Sequence, residues 1–318
     1  MTVQTITLPN TALTVPALGV GTWQWGDNFW WGYGSDYNRN DLAEAFEASL
    51  DAGLSLFDTA EIYGLGESER ILGAFKRSTT RPVVIASKFF PLPWRFTAAQ
   101  FHLALRGSLK RLGVETIDLY QVHWPFHILS IPAMMDAMAT AVQRGQIRAV
   151  GVSNYNAEQM RAAHAALARH GIPLASNQVP YHLLDLRYQR NGVLDTCREL
   201  GVILIAYSPL AQGLLTGKYH TSDARPTGGR NRTKAFRPEN LARIRPLVDQ
   251  LVTLAEHHGK TPAQVALNWL VRQPGVLPIP GAKNARQAAS NAGALGWSLS
   301  DAEATTLTQQ AETLWLAK

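Results

Sequence analysis

Four side chains that could move a proton together are spaced along the first half of the chain. They are an acid, a phenol, an amine and an imidazole, at Asp58, Tyr63, Lys88 and His123. Asp58, Lys88 and His123 each end an apolar run that is typical of a strand, and Tyr63 follows shortly after the first of these runs. A phenol is a poor acid near neutral pH unless a neighbouring ammonium lowers its pKa. The four residues therefore predict proton transfer to a reacting group.

The reaction that this set predicts is the reduction of a carbonyl compound. Tyr63 would donate the proton to the carbonyl oxygen, and Lys88 would lower the pKa of the phenol. Asp58 would hold Lys88 by a charge-assisted hydrogen bond, and His123 would orient the carbonyl or share the proton. Taken singly, an aspartate at a strand end is more often a helix cap and a histidine more often a structural group. Other apolar runs also end in polar side chains, at Ser153, Asn154, Gln178, Tyr207 and Ser208.

Short apolar runs alternate with amphipathic stretches along the chain, which predicts a parallel sheet covered by helices. A hairpin is expected over residues 5–8 and 14–16. Eight strands are predicted at 17–21, 55–58, 83–88, 117–123, 149–153, 175–179, 202–207 and 276–279. Helices are predicted at 41–52, 67–75, 98–112, 131–144, 157–170 and 261–272. Eight such units predict an α/β fold of one domain over residues 1–318, a (β/α)8 TIM barrel with an N-terminal β-hairpin and long loops at its C-terminal face.

The composition excludes several other classes of protein. The apolar content of 46% and the charged content of 17% are ordinary for a globular chain, and its net charge of +6 suits anionic ligands. The single cysteine, Cys197, allows no intrachain disulfide. No secretory signal or membrane-spanning run is visible, so we expect a cytoplasmic protein, and we expect it to be a monomer.

Two polar patterns could indicate a metal site and a nucleic-acid site, and neither interpretation is favoured. The pair His123 and His127 has the spacing of two metal ligands on a helix, but Pro125 breaks such a helix, so no metal is expected. The basic run from Arg225 to Arg237 lacks interleaved aromatic residues, so it predicts a loop near phosphates rather than a nucleic-acid site. His257 and His258 are interpreted as a solvated helix end.

Six segments of the chain resemble the aldo-keto reductases. They are 57–64 (FDTAEIYG), 87–88 (SK), 121–124 (QVHW), 151–154 (GVSN), 207–210 (YSPL) and 279–281 (IPG). The resemblance covers nearly the whole length. It implies a (β/α)8 barrel, an NADPH cofactor bound without a Rossmann domain, and a catalytic tetrad formed by Tyr63, Lys88, Asp58 and His123.

The same resemblance implies where the cofactor binds. Ser153, Asn154 and Gln178 would meet the nicotinamide carboxamide, and Tyr207 would stack on the nicotinamide ring. The pyrophosphate would be wrapped by the stretch from Ser208 to Lys218, with Pro209, Leu210, Gly213 and Leu215. The adenosine end would be held by Pro280, Gly281, Ala282, Lys283, Gln287 and Asn291. The remaining cofactor contacts would come from Gly21, Thr22, Trp23 and Asp58.

Cofactor choice can also be argued from the residues themselves. No Gly-x-Gly-x-x-Gly follows a strand and precedes a helix with an acidic residue at the expected distance. The sequence therefore does not support cofactor binding by a Rossmann domain. Lys283 and Arg286 begin a helix after the last strand, where a helix N-terminus favours an anion, and they predict a preference for NADPH over NADH. Many relatives carry Lys-Ser where this chain has Gly281-Ala282, and an arginine where it has Gln287.

Tryptophans crowd the loop after the first barrel strand. Gly and Asp residues between them destroy any helical or strand periodicity, so we interpret the loop as an aromatic wall of the substrate pocket. The wall is predicted to contain Trp23, Trp30, Trp31, Trp94 and Trp124. A tryptophan-rich first loop is similar to that of plastid and photosynthetic-bacterial members of the family.

Two functions of different class remain open from the sequence. One is an NADPH-dependent reductase of aldehydes or ketones, whose natural substrate could be pyridoxal, a sugar-derived aldehyde or a lipid-derived aldehyde. The alternative is a cofactor-binding regulatory protein with little turnover, similar to the channel β subunits that share the barrel and the tetrad. Steady turnover of a simple aldehyde would distinguish the first from the second.

Overall fold

The computed structural model describes residues 4–8, 11–126, 128–219, 226 and 228–316. Its strands are β1 Thr5–Thr7, β2 Thr14–Pro16, β3 Val20–Gly21, β4 Leu56–Asp58, β5 Val84–Phe89, β6 Ile117–Val122, β7 Ile147–Ser153, β8 Leu174–Pro180, β9 Ile203–Tyr207 and β10 Val276–Ile279. Its helices are α1 Arg39–Asp51, α2 Glu67–Arg77, α3 Ala98–Leu112, α4 Ile131–Gln143, α5 Ala157–Ala168, α6 Arg187–Arg190, α7 Val193–Leu200, α8 Pro238–His258, α9 Pro262–Val271, α10 Ala285–Ala292 and α11 Asp301–Leu316.

The strands from β3 to β10 lie side by side in chain order and are all parallel. The first and last strands meet through a parallel bridge between Gly21 and Gly281. The backbone nitrogen of Gly21 donates to the carbonyl of Pro280 at 3.0 Å, and that of Gly19 donates to Pro278 at 3.0 Å. The prediction of a (β/α)8 barrel is confirmed.

The predicted strands are all present, with ends shifted by a few residues. The largest difference is β3, which was predicted at 17–21 and pairs only at Val20–Gly21. The nitrogen of Ala17 instead donates to the carbonyl of Gln4, so this part of the chain is still joined to the hairpin segment.

The N-terminal hairpin closes one end of the barrel. β1 and β2 pair antiparallel, with Ile6 opposite Val15. Leu8, Leu13 and Val15 are buried in one cluster with apolar side chains from the barrel strands, such as Leu56 and Leu119. Because this end is filled by apolar side chains, polar groups can collect only at the opposite, carboxyl end of the strands.

The helices begin where the sequence supplies caps. Thr97, Asn156 and Thr261 each accept from a backbone nitrogen one turn into the helix, and a glutamine in that turn completes a capping box at each site. The six predicted helices are present, and α10 follows the last strand as expected, whereas α6, α7, α8 and α11 were not predicted. Among the described residues, no helix has the length and apolar content needed to cross a bilayer.

Candidate active site

A buried ion pair lies at the carboxyl end of the barrel. Asp58 is the last residue of β4, and Lys88 lies near the end of the neighbouring β5, where its side chain has no solvent exposure. Lys88 Nζ donates to Asp58 Oδ1 at 2.5 Å and to the carbonyl oxygen of Thr59 at 2.8 Å. Because a buried ammonium is tolerated only with such partners, the two residues form one unit.

The second oxygen of Asp58 is held by two amides. Gln178 Nε2 donates to Asp58 Oδ2 at 2.8 Å, and Gln121 Nε2 donates to the same oxygen at 3.1 Å. A Cβ atom at Gly151 would lie 2.8 Å from Gln121 Cγ, so the glycine leaves room for that side chain. Gln121 was not predicted as a site residue. The available signal was its position two residues before His123, which places both side chains on the same face of β6.

Tyr63 begins the short 3-10 turn Tyr63–Gly66 and brings its hydroxyl to the ion pair. Its Oη lies 3.4 Å from Lys88 Nζ. Burial, and after it the negative charge of Asp58, raises the pKa of the Tyr63 phenol well above its usual value. Burial and Asp58 therefore outweigh the lowering expected from the Lys88 ammonium, and the net shift of this pKa is upward rather than downward. The phenol stays protonated at neutral pH.

His123 follows β6 directly and faces the tyrosine. The two rings meet edge to face, with centroids 5.7 Å apart. Burial and the nearby charge of Lys88 lower the pKa of His123 well below its usual value, so the imidazole is neutral at pH 7. Its Nδ1 is buried and has no hydrogen-bond partner within the described part of the chain. The structure thus brings all four predicted residues of the tetrad together.

A polar platform adjoins the tetrad at the ends of β7, β8 and β9. Asn154 has a left-handed backbone with φ of 62°, which turns its side chain back over the strand ends. Its Nδ2 donates to the carbonyl of His123 at 3.1 Å, and its Oδ1 accepts from Tyr207 Oη at 3.1 Å. Ser153 Oγ donates to the carbonyl of Gln178 at 2.7 Å. This network fixes the ring of Tyr207 beside the tetrad.

The loop after β9 has an unusual backbone. Ser208, Ala211 and Gln212 are non-glycine residues with positive φ, a conformation that costs free energy and is kept where the surrounding structure requires it. Arg230 Nη1 donates to the carbonyl of Gln212 at 3.1 Å and so ties the later part of the loop to this turn. Leu215, predicted as a cofactor contact, is fully buried in this structure. Part of the predicted basic run, including Arg225, lies outside the described residues, as does His127.

The segment after β10 packs closely on the loop after β3. A Cβ atom at Gly281 would lie 1.9 Å from Gln24 Nε2, and Trp25 Nε1 donates to the carbonyl of Ala282 at 3.0 Å. Two predicted cofactor residues brace this segment rather than pointing away from it. Gln287 Oε1 accepts from the nitrogen of Lys283 at 2.9 Å, and Asn291 Nδ2 donates to the carbonyl of Gly281 at 3.2 Å.

Two cations flank the indole of Trp31. Arg230 lies 4.6 Å and Lys283 lies 5.3 Å from its ring centroid, and Lys283 Nζ also donates to the Trp31 carbonyl at 2.7 Å. Burial and, next, the charge of Arg230 lower the pKa of Lys283 to about 8. Arg286, the other cation predicted to select NADPH, is exposed.

The remaining first-strand residues have structural partners of their own. Thr22 Oγ1 donates to the carbonyl of Asp58 at 2.9 Å, and Gly21 forms the closing seam of the barrel. A Cβ atom at Gly21 would lie 2.8 Å from the carbonyl oxygen of Ile279. The contacts of these two residues in this structure are therefore with the barrel itself.

The predicted aromatic wall is partly assembled. The ring of Trp23 lies between that of Tyr63 and those of two other tryptophans of its own loop. Its centroid is 6.3 Å from that of Tyr63, 6.3 Å from that of Trp30 and 5.4 Å from that of Trp31. Trp124 is stacked with His123 at 6.4 Å on the other side of the site. Trp94 does not join them: it is 62% exposed and takes part in no ring contact among the described residues.

A salt bridge not foreseen from the sequence anchors the loop that carries Trp94. Arg95 pairs with Glu61, which lies between Asp58 and Tyr63 in the chain. Glu61 Oε1 also accepts from the nitrogen of Phe90 at 2.6 Å. This interaction ties the loop after β5 to the segment that positions Tyr63.

The site has the groups that a dinucleotide requires. Arg230 and Lys283 lie close enough to repel each other, and both use backbone carbonyls as acceptors. Arg230 Nε and Trp31 Nε1 are buried donors without hydrogen-bond partners in the described residues. A phosphate would balance this charge, and the ring of Tyr207 is a stacking surface next to the tetrad. The residues therefore fit a phosphorylated, ring-containing cofactor.

Comparison with known proteins identifies the family. The sequence model of the Aldo/keto reductase family matches residues 17–312. The chain is 41% identical over 304 residues to the chloroplastic pyridoxal reductase of Arabidopsis thaliana, covering 92% of this chain and 82% of the relative. The glycerol dehydrogenase of Gluconobacter oxydans superposes with a TM-score of 0.86 at 30% identity, covering 98% of this chain and 96% of the other.

A second solved structure is similar over the same extent. The aldo-keto reductase of Klebsiella pneumoniae in complex with NADPH superposes with a TM-score of 0.75 at 31% identity, covering 97% of this chain and 95% of that one. The chain belongs to the aldo/keto reductase family.

Proposed function

We propose that the protein reduces aldehydes or ketones to alcohols with NADPH, and that Tyr63 donates the proton. Its family is one of oxidoreductases that act on carbonyl compounds. The proposal that Tyr63 donates the proton rests on the position of Lys88 Nζ. This atom lies 2.5 Å from Asp58 Oδ1 and 3.4 Å from Tyr63 Oη in a buried site.

The chemistry divides between the cofactor and the side chains. Bound NADPH would supply the hydride that adds to the carbonyl carbon. The protonated phenol of Tyr63 gives its proton to the carbonyl oxygen, and the Lys88 ammonium offsets the negative charge left on the phenolate. Asp58 holds the ammonium in place, and the neutral imidazole of His123 orients the carbonyl oxygen by a hydrogen bond.

Pyridoxal is the first substrate to test. The chain is 41% identical to a pyridoxal reductase, and a flat aromatic aldehyde suits a pocket with Trp23 on one side and Trp124 on the other. For the cofactor, the support comes from the cations Lys283 and Arg230 and from the similarity to a reductase solved with NADPH.

The test of the donor is the variant Tyr63→Phe, which removes a single hydroxyl. Reduction of pyridoxal and of a simple aldehyde, followed by NADPH consumption, should fall by roughly 10²–10⁴-fold, the factor typical of a general acid. NADPH affinity measured by fluorescence titration should be retained. Tyr181→Phe is the matched control, because the Tyr181 hydroxyl bonds Gln189 and Gln273 in the outer layer.

Two outcomes would contradict the proposal. A folded Tyr63→Phe protein that keeps most of its turnover number would exclude Tyr63 as the donor. Tight NADPH binding by the parent protein, without turnover of any aldehyde or ketone in a broad screen, would instead support the regulatory alternative.

A further inference from the structure

Three side chains of types that bind metals lie together where two helices of the outer layer meet. They are distant in sequence from the tetrad. His257 and His258 end α8, and Glu303 lies in the first turn of α11. Each offers one donor atom, and the three donor atoms lie within 4.8 Å of one another. The two histidines do lie at a helix end, and His257 is largely exposed, but their contact with Glu303 was not predicted.

The carboxylate of Glu303 is held in one orientation. Its Oε2 accepts from both the nitrogen and the Oγ of Ser300 at 2.8 Å, which forms the N-terminal cap of α11. Its Oε1 is thereby directed at the histidines, 2.8 Å from His258 Nε2 and 3.4 Å from His257 Nδ1.

One of the two imidazoles is also oriented by its surroundings. His258 packs against the indole of Trp297 with centroids 4.9 Å apart, and Trp297 Nε1 donates to the carbonyl of Gly293 at 3.0 Å. The side chain of His258 is 23% exposed, whereas that of His257 is 73% exposed. Two ligands are therefore preorganised, and the third can rotate toward them from solvent.

The local field has two opposing contributions. The carbonyl end of α8 carries a partial negative charge and favours a cation near its last turn. The positive charge of the Lys260 ammonium, which lies 5.6 Å from the Trp297 ring centroid, disfavours a second cation there. A site with three protein ligands and this balance of charge should bind zinc more weakly than a four-ligand structural zinc site does.

We propose that His257 Nδ1, His258 Nε2 and Glu303 Oε1 form a binding site for Zn²⁺ or a similar divalent transition metal. Zinc bonds of about 2.0–2.2 Å at tetrahedral angles place neighbouring ligand atoms about 3.4 Å apart. Glu303 Oε1 and His257 Nδ1 already lie 3.4 Å apart, and the 2.8 Å contact between Glu303 Oε1 and His258 Nε2 would lengthen to admit the ion. Two imidazoles and one carboxylate suit Zn²⁺, Ni²⁺ or Cu²⁺ and do not suit Mg²⁺ or Ca²⁺, which prefer oxygen ligands. The ion would link the end of α8 to the start of α11.

The test is isothermal titration of the full chain, after removal of any histidine tag, with ZnCl₂ and separately with MgCl₂. One zinc per chain is expected, with no magnesium binding. His258→Ala and Glu303→Gln should each weaken zinc binding at least tenfold, and glutamine can keep the helix cap. His170→Ala is the matched control, because it removes an imidazole that lies 2.7 Å from the single carboxylate of Asp136.

The absorption spectrum of the cobalt-substituted protein gives a second measurement. Intense visible bands that vanish in Glu303→Gln would support a tetrahedral site of these ligands. If His258→Ala does not fold, the exposed His257→Ala replaces it in the titration. Failure of the parent protein to bind zinc would overturn the proposal, and so would unchanged affinity in these variants together with a cobalt spectrum that Glu303→Gln does not alter.

Discussion

At the scale of single residues, Lys88 is the centre of the site. Its ammonium has no solvent exposure and contacts both Asp58 and Tyr63. Burial lowers the pKa of Lys88, whereas Asp58 opposes that change. A charge in this position is maintained by its partner, so the function of either residue should depend on the other.

This dependence leads to a prediction for Lys88→Met and Asp58→Asn. Lys88→Met should lower the turnover number by at least roughly a hundredfold, because nothing then stabilises the phenolate of Tyr63. Asp58→Asn should cost less, since the amine remains. The double variant should lose about as much as Lys88→Met alone. Single-turnover rates would measure this, with thermal melts as the control for folding; losses that add in log rate would show that the two residues act independently.

A second residue-scale prediction concerns Tyr207. Tyr207→Ala removes the proposed stacking surface and should weaken cofactor binding by about 1–3 kcal/mol, the range measured for aromatic stacking on bases. Tyr207→Phe is the matched variant, because it keeps the ring and loses only the hydroxyl that bonds Asn154 Oδ1. Fluorescence titration should show that the Tyr207→Phe variant binds the cofactor nearly as tightly as the parent protein does. Equal affinities for the alanine variant and the parent would argue against stacking.

At the scale of elements, the side chain of Lys283 joins the loop after β10 to the loop after β3, in addition to the bond from Trp25 to Ala282. Lys283 Nζ donates to the Trp31 carbonyl and lies 4.4 Å from the ring centroid of Tyr37. Arg230, from the loop after β9, lies against the same Trp31 ring. The predicted substrate wall and the predicted phosphate site therefore share a residue, which couples two loops that are far apart in the sequence.

The prediction at this scale is a pH-dependent preference for NADPH. Only the protonated amine of Lys283 attracts the extra phosphate, and its pKa of about 8 means that the charge is present below pH 8 and lost above it. The affinity for NADPH should therefore fall by up to about tenfold per pH unit above pH 8, while that for NADH changes little. Lys283→Arg should remove this pH dependence, because guanidinium stays charged.

Lys283→Ala provides the companion measurement. It should weaken NADPH binding at least tenfold at low salt, because a charge-assisted contact contributes roughly 1.5–3 kcal/mol, and leave NADH binding nearly unchanged. Added salt should narrow the difference in the parent. Equal loss of both cofactors would mean that Lys283 supports the loop through Trp31 instead of recognising the phosphate.

At the scale of the whole molecule, the barrel depends on a seam between its first and last strands. Gly21 and Gly281 face each other there, and the seam lies directly beneath the loops that carry Trp23 and Lys283. The backbone at Gly21 approaches the carbonyl of Ile279 so closely that no side chain fits between them.

Gly21→Ala should therefore destabilise the protein by about 1–3 kcal/mol, the usual cost of overpacking, because the obstructing atom is backbone and cannot rotate away. Gly107→Ala is the control: it lies inside α3, and the nearest atom to its added Cβ is the flexible end of Arg111 at 3.1 Å. Urea unfolding midpoints would compare them. An unchanged midpoint for Gly21→Ala would show that the strands at the seam can move apart without lowering the stability of the protein.

Much of this protein follows from local sequence. Alternating apolar runs and amphipathic stretches identified the barrel and its eight strands, because side-chain periodicity reports which faces are buried. The polar residues that end those runs predicted that Asp58, Lys88 and His123 lie together, because parallel strands bring their carboxyl ends to one face of the barrel. Strand ends shifted by a few residues, since pairing with a neighbour decides where a strand stops.

Other features were decided only by the tertiary structure. Gln121 joins Asp58 because Gly151, on the next strand, leaves space for it. The pKa of Tyr63 rises rather than falls because burial and Asp58 outweigh Lys88, and burial is not readable from neighbouring residues. The contact of Lys283 with Trp31, and that of Glu303 with two histidines, join segments distant in the chain. Such contacts depend on how loops and helices pack, which sequence spacing does not specify.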